Sequence, residues 1–431
     1  MKSKRIKPRR MVVLGFLCVI LAGTGLLMLP VSSSSDKGLN LIDSLFTSTS
    51  AVCVTGLSCI DPGLELSSFG QVVLGLLIQI GGLGITSIGI IAALAAGGKF
   101  GIGKQRLLKE GLNLSWGKGL MGIVRAVLYV TIIFELAGAL LSYFSFSQHH
   151  ETGRAIGISL FHSIASFNNA GFDILGNYKS LGDYRSDYWL CFITSGLVIF
   201  GGLGFFVISE MASRRKPRQW SLHTKVVLST TIVLLLLGTL LMKLTEGGSF
   251  SWLDAFFQSV SSRTAGFASV SIGDMSQAGL LVLMVLMFIG ASPGSTGGGI
   301  KTTTCFVLFR KVQSIIFNKH CNAFRRQIPE DTVAKAFLVF NMAVGVIFLS
   351  TFVLCLQEHT FTFEQIFFEA ISGFATTGLS TGITPFLSDV SKITIIVTMF
   401  VGRLGPLTMA TIWMSRDMSA ATYSEEGVAI G

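Results

Sequence analysis

Eight long apolar runs constrain this chain more than anything else in it. They cover residues 11–30, 70–97, 121–146, 188–211, 224–242, 279–315, 334–356 and 391–414. A helix that crosses a bilayer needs about 20 largely apolar residues, because its backbone polar groups must be satisfied within the segment. A chain with eight such runs has to place its apolar surface in lipid. Composition agrees: 50% of the 431 residues are hydrophobic and 13% are charged, about half the charged fraction of a soluble protein. Mean hydropathy is +0.67. An ordinary soluble enzyme and a disordered polymer are both excluded. The 49 glycines follow no G-X-Y period, which excludes collagen. No A-x-A pattern follows the first run, so it reads as a span and not as a cleaved signal.

Charge sets the orientation. The stretches 1–10, 98–125, 212–225 and 310–335 hold 23 Lys and Arg, and the alternate loops hold seven: Lys37, Arg154, Lys179, Arg185, Lys243, Arg263 and Lys392. Basic loops stay on the cytoplasmic side, which places both termini inside. The net charge of +10 is then a topological signal and not a nucleic-acid surface. The seven cysteines are scattered, with no C-x-x-C pair and no Cys/His ligand set. Cys53 and Cys59 raise a disulfide question, and small apolar packing is the preferred reading.

The outer loops repeat. Four segments read FTSTSAVCVTGL (46–57), FHSIASFNNAGF (161–172), FFQSVSSRTAGF (256–267) and FEAISGFATTGL (368–379). Each begins with Phe (Phe46, Phe161, Phe256, Phe368) at a fixed distance from Gly56, Gly171, Gly266 or Gly378. A second word follows in register: IGGLG (80–84), FGGLG (200–204), IGASP (289–293) and VGRLG (401–405). A period this long is a whole supersecondary unit. The expected unit is a span, a short re-entrant helix, a Gly loop and a second span. The expected fold class is an all-α polytopic membrane protein of four such repeats in pseudo-fourfold arrangement around one central pore. The repeats cover 1–97, 98–212, 213–315 and 316–431, the last with a short C-terminal tail.

Irregular backbone at membrane depth is tolerated where it is shielded or lines a polar path. Four convergent Gly loops would turn carbonyl oxygens inward, and these replace the hydration shell of a cation. The C-terminal ends of four short helices add partial negative charge. The expected filter is Val54, Thr55 and Gly56; Asn169, Ala170 and Gly171; Thr264, Ala265 and Gly266; and Thr376, Thr377 and Gly378, with K+ held at backbone carbonyls. No catalytic residues and no covalent cofactor are expected.

The loop words VTGL, NAGF, TAGF and TTGL, with the Gly-rich interruption in the third repeat, resemble the Trk/Ktr/HKT superfamily of potassium transporters over nearly the whole chain. The first span begins near Met11, without room for two further N-terminal helices, so the chain is most similar to the pore subunits of Ktr systems. The resemblance implies a homodimer with one pore per subunit. It also implies a cytoplasmic ring of nucleotide-binding (RCK-type) regulatory subunits, with the nucleotide on the partner and not on this chain. In the plant branch a Ser at the first filter Gly accompanies Na+ permeation. Gly at all four positions here implies K+ as the conducted ion, and dependence on Na+ is left open.

The third repeat interrupts its second span with ASPGSTGGG (291–299), followed by Ile300 and Lys301. Three consecutive glycines after Pro293 do not sustain a helix. Gly294 and Gly299 mimic a phosphate-binding loop, but Ile300 displaces the lysine and the context is an apolar helix, so ATP hydrolysis is rejected. Gly294, Ser295, Thr296, Gly297, Gly298, Gly299 and Lys301 are expected to form an intramembrane gate. Arg403 stands where the other second words have Gly82, Gly202 and Ala291, and its five donors could hold carbonyls of this loop.

Other residues carry blander expectations. Arg263 is expected to clamp loop backbone from behind. Asn168 and Asn169 could hold filter carbonyls or tune an ion site. Asp43, Asp254, Glu364 and Glu369 are read as helix caps, and Glu135 and Glu210 as interhelical hydrogen-bond acceptors. The basic stretches 310–335 and 99–118 are candidates for docking the regulatory ring. The competing reading is an obligate ion-coupled carrier with alternating access. It calls for an intramembrane carboxylate at the binding level, and the four filter words contain none.

Overall fold

The structure is a computed structural model that describes residues 8–35, 37–84, 120–213 and 216–411. The 99–118 stretch, the basic residues before Pro8 and the C-terminal tail fall outside these residues. Among the described residues, four single helices are long and apolar enough to cross a membrane: α1 (Pro8–Leu27), α4 (Leu120–Phe146), α8 (Leu222–Glu246) and α12 (Glu330–Gln357). Each carries apolar residues on more than one face. On α8 Val227 and Met242 are buried while Leu236 and Leu237 are exposed. A helix that is hydrophobic all round suits a protein core on one side and lipid on the other.

After each long helix comes a short one: α2 (Leu41–Cys53), α5 (Thr152–Phe167), α9 (Trp252–Ser261) and α13 (Phe363–Ala375). Their 10 to 16 residues rise about 15–24 Å, less than the hydrocarbon core. Capping is explicit in two of them. Ser251 and Asp254 form a reciprocal capping box on α9, and Thr362 and Gln365 form one on α13. Glu364 lies in the first turn of α13 but is not the capping partner. Serines and glycines seat these helices against the long ones. Ser48, Ser163 and Ser259 donate to the carbonyls of Ile20, Glu135 and Leu235 at 2.8, 2.6 and 3.1 Å. Gly23, Gly138 and Gly238, each three residues further on, leave room for those hydroxyls.

Ser259 fixes the register of α9. In α9 the residue equivalent to Phe46, Phe161 and Phe368 is Phe257, which is 1% exposed; Phe256 is only partly buried. The third short helix is out of register by one residue because its turn closes sooner. Ala265 N bonds to Ser261 O, four residues back, where Thr55, Ala170 and Thr377 reach five back.

The second helices are α3 (Ser68–Leu83), α6 (Tyr188–Leu203), α10 (Gln277–Phe288) and α14 (Asp389–Leu404). They end inside the expected apolar runs. Gly84, Gly204 and Gly405 stop three of them with φ of 79°, 91° and 84°. Beyond Gly204 the chain resumes as α7 (Phe205–Ser213), bent by 94° from α6. Beyond Gly405 it resumes as α15 (Pro406–Thr411). The run at 188–211 is therefore not a single straight span, and the helix within 391–411 is interrupted at Gly405. In the third repeat an irregular stretch separates α10 from α11 (Thr302–Ile316), as the glycine run predicts. A two-residue hairpin, β1 (Asn322–Ala323) with β2 (Arg326–Gln327), links α11 to α12. Glu210 on α7 accepts from the N–H and hydroxyl of Ser221 and from Thr224 on α8, the interhelical role expected of it.

Candidate functional site

Each short helix ends in the same turn. Val54, Asn169, Thr264 and Thr376 have φ of 55°, 57°, 71° and 51°, and the glycines two residues on have φ of 94°, 66°, 80° and 92°. Asn accepts the left-handed region readily. A β-branched residue does not, and three of the four are β-branched. Such strain persists where surrounding contacts over-determine it, which is characteristic of functional sites. The turns are held from behind. Thr55 N, Ala170 N and Thr377 N bond back to Ser50 O, Ala165 O and Ser372 O at 2.8, 2.7 and 3.0 Å. Ser50 and Ser372 also accept from Gly56 N and Gly378 N through their hydroxyls, at 3.0 and 3.1 Å.

The four turns close on one another in chain order. A Cβ added to Gly56 would lie 2.5 Å from the Ala170 carbonyl oxygen, and one added to Gly171 would lie 2.6 Å from that of Ala265. The same test brings Gly266 against the Thr377 carbonyl and Gly378 against the Thr55 carbonyl. The contacts therefore run from the first turn to the fourth and back to the first. No side chain fits at any of the four glycines without displacing backbone. All twelve expected filter residues are brought together here. The hydroxyls of Thr55, Thr264, Thr376 and Thr377 are buried with no hydrogen-bond partner among the described residues.

The Gly-rich break packs against one end of this ring. Thr296 Oγ1 lies 3.2 Å from Asn169 Oδ1 and 3.3 Å from Phe167 O. Gly297 abuts the Thr264 side chain, Gly298 that of Thr376, and Gly299 the backbone of Ala375. The break also satisfies the open end of α6. Ser292 N and Thr296 N bond to Gly202 O and Gly201 O at 3.1 and 3.3 Å, and Phe205 N bonds to Gly294 O at 3.1 Å. Those carbonyls lost their helical partners where α6 stops. Ser295 turns back on Ser292, its hydroxyl 2.6 Å from that carbonyl.

Two cations hold the break. Arg403 donates from Nη1 to Thr296 O and from Nη2 to Gly81 O at the end of α3. Lys301 Nζ lies 2.7 Å from Gly297 O and 3.2 Å from Gly298 O. The Gly81 contact had no sequence signal, since it joins residues 322 positions apart. Arg263 does not do what the sequence suggested. Its Nη2 reaches Thr231 of α8 at 3.4 Å, no backbone carbonyl of the turn is its partner, and its Nε has none. This contact joins the third turn to α8.

Carboxylates stand around the ring and not in it. Glu135 accepts from Asn168 Nδ2 at 2.9 Å, and the same amide donates to Gln79 at 3.0 Å. Glu369 is fully buried and accepts from Thr384 at 2.8 Å and from Ser380. It binds the loop after the fourth turn and caps no helix. Asp43 pairs with Lys392 of α14 at 2.7 Å, and Asp254 with Arg185 at 2.8 Å. Both contacts exceed simple capping. In the loop after the second turn, burial pushes the Asp173 carboxyl up to about 6. Asp61 adds to the rise, and the N–H groups of Leu175 and Gly176 oppose it. All seven cysteines are free thiols.

Comparison with known proteins agrees with this architecture. The family model described as TrkH, cation transport protein, matches residues 9–421. The Ktr system potassium uptake protein B of Vibrio alginolyticus is 38% identical over 100% of this chain and 96% of its own length. The potassium/sodium uptake protein NtpJ of Enterococcus hirae is 36% identical, covering 99% of this chain and 98% of its own. The crystal structure of the potassium transporter TrkH from Vibrio parahaemolyticus is similar in fold, with a TM-score of 0.74 at 20% identity, covering 96% of this chain and 87% of that one. This is a multi-pass membrane protein of transport and not of enzymatic chemistry, and the chain belongs to the TrkH family of cation transport proteins.

Proposed function

We propose that the chain is a potassium-selective, channel-like uptake subunit of the cell's inner or plasma membrane, with both termini cytoplasmic. The four repeats 1–97, 98–212, 213–315 and 316–431 would surround one path. K+ would pass the ring of Gly56, Gly171, Gly266 and Gly378, coordinated by backbone carbonyls. The break at Gly294–Gly299 would close that path from below under the hold of Arg403. The observation that carries this reading is the closed ring of four left-handed turns with the break packed against three of them. Selectors of this kind need no carboxylate at the binding level, and the nearest carboxylates here are engaged in structural contacts.

Uptake would draw on the membrane potential, at about 2.3 kcal/mol per charge per 100 mV. The Ktr relatives are named as parts of a system, which supports a separate regulatory subunit. A homodimer with a cytoplasmic nucleotide-binding ring, docked on the basic residues of 310–335 and 99–118, is the arrangement we favour. The name of the Enterococcus relative pairs potassium with sodium, so sodium belongs in the test.

The test is radioactive Rb+ uptake into K+-loaded proteoliposomes that hold the purified chain, with unlabelled K+ and Na+ as competitors. Competition by K+ but not by Na+ is expected. Equal competition by Na+ would overturn the selectivity. Uptake that needs a co-transported ion at fixed membrane potential would overturn the channel-like mechanism in favour of a coupled carrier.

A further inference from the structure

Three successive carbonyl groups of the break, those of Thr296, Gly297 and Gly298, are taken by fixed cations. Arg403 holds the first, and Lys301 holds the other two at 2.7 and 3.2 Å. Among the described residues, no backbone N–H bonds to the Gly297 or Gly298 carbonyl. No carboxylate there pairs with Lys301 either. The two carbonyl dipoles are its counter-charge. Lys301 stands at the N-cap of α11, where its side chain caps nothing and where helix polarity disfavours a cation. The same two glycines abut Thr264 and Thr376, the left-handed residues of the third and fourth turns. The ammonium is therefore held by residues that pack on the ring, on oxygens of the kind that replace water around a monovalent metal ion.

We propose that Lys301 is a tethered cation. Its ammonium fills a monovalent-cation site made by the Gly297 and Gly298 carbonyls beside the ring. The break stays shut by carrying, on a lysine, the charge that K+ would otherwise supply. This rests on the gate reading above and adds to it a second, separable hold. Arg403 ties the break to α3 as a latch, whereas Lys301 occupies an ion position. Removing the ammonium leaves two carbonyls that K+ fills only reversibly and without a tether, so a neutral variant should both leak and acquire a new response to K+.

The experiment compares Lys301→Met, Lys301→Arg and Arg403→Gln with the parent. Rb+ flux is read in proteoliposomes, and the thermal midpoint is read in detergent as choline is replaced by K+. Loss of charged hydrogen bonds of this kind predicts a rise in flux of about tenfold for Lys301→Met. It also predicts a K+-dependent rise in midpoint larger than the parent's, while Lys301→Arg, which keeps the charge, shows no such added rise. Faster flux in Lys301→Met with the parent's K+ response would make Lys301 a latch only and overturn the ion site. Parental flux in Lys301→Met, with faster flux in Arg403→Gln, would remove Lys301 from the closed state and leave the gate standing. Parental flux in both Lys301→Met and Arg403→Gln would overturn the gate reading itself. Should Lys301→Met not fold, Lys301→Gln keeps N–H donors at the carbonyls without the charge, and the same criteria apply.

Discussion

Gly266 shows how much a single position carries. Its φ of 80° excludes most side chains, and a Cβ would strike the Thr377 carbonyl of the neighbouring turn. Gly266→Ala therefore adds backbone strain of about 1–3 kcal/mol and displaces a carbonyl of the ring. It should lower the thermal midpoint and reduce the preference for Rb+ over Na+. Gly196→Ala is the control, because nothing among the described residues lies within 4 Å of a Cβ there. If Gly266→Ala keeps both the midpoint and the ion preference of that control, the ring is not the selective element. The glycines were legible in the sequence because a repeated word exposed them. The left-handed Val54, Thr264 and Thr376 were not, since β-branched residues are poor signals for that conformation. Arg263 was misread for a related reason. Its place three residues before a glycine fixes where its Cα lies, but its long side chain follows the space beside α8, and sequence spacing says nothing about that space.

At the scale of elements, the breaks matter more than the helices. The Gly-rich stretch is legible as a break because three glycines and a proline are incompatible with a helix. The stops at Gly204 and Gly405 were not read, because one glycine in an apolar run is an ordinary residue by composition. What makes them stops is tertiary. Gly201 and Gly402 bring α6 and α14 against the carbonyls of Phe167 and Phe374, and the chain turns just beyond that contact. The break then fills the end of α6 with its own N–H groups. This arrangement makes a sharp expectation. Deleting Gly294–Gly299 removes the segment packed on the ring without touching the turns, so Rb+ flux should rise while competition by Na+ stays weak. Arg403→Gln should do the same to a smaller extent, because Lys301 still holds the neighbouring carbonyls. A deletion variant that folds and conducts like the parent removes the break from the gate. One that conducts faster but loses its K+ preference makes the break a support of the ring.

For the whole molecule the decisive seam lies between the last repeat and the first. The other seams join residues at separations such as 69 for Arg185 to Asp254 and 127 for Thr296 to Asn169, but this one joins residues more than 300 apart, through Lys392 to Asp43 and Arg403 to Gly81. Neither pairing follows from local pattern. The sequence could announce four units, yet not which side chains would lock the fourth onto the first. Lys392 is 12% and Asp43 21% exposed at the side chain, between the exposed pairs that contribute almost nothing and the buried pairs whose rupture costs about 3–5 kcal/mol. Breaking this one should cost about 1–3 kcal/mol. Asp43 lies on α2, which ends at Val54 and the first turn, so loosening the seam should also loosen the ring. Lys392→Met and Asp43→Asn are each expected to lower the thermal midpoint and to weaken the preference for Rb+ over Na+. The double variant should do little worse than either single one, because each removes the same pairing. Full additivity in the double variant would show that the two side chains act separately. A lowered midpoint with unchanged ion preference would show that the seam holds the helices together without setting the geometry of the four turns.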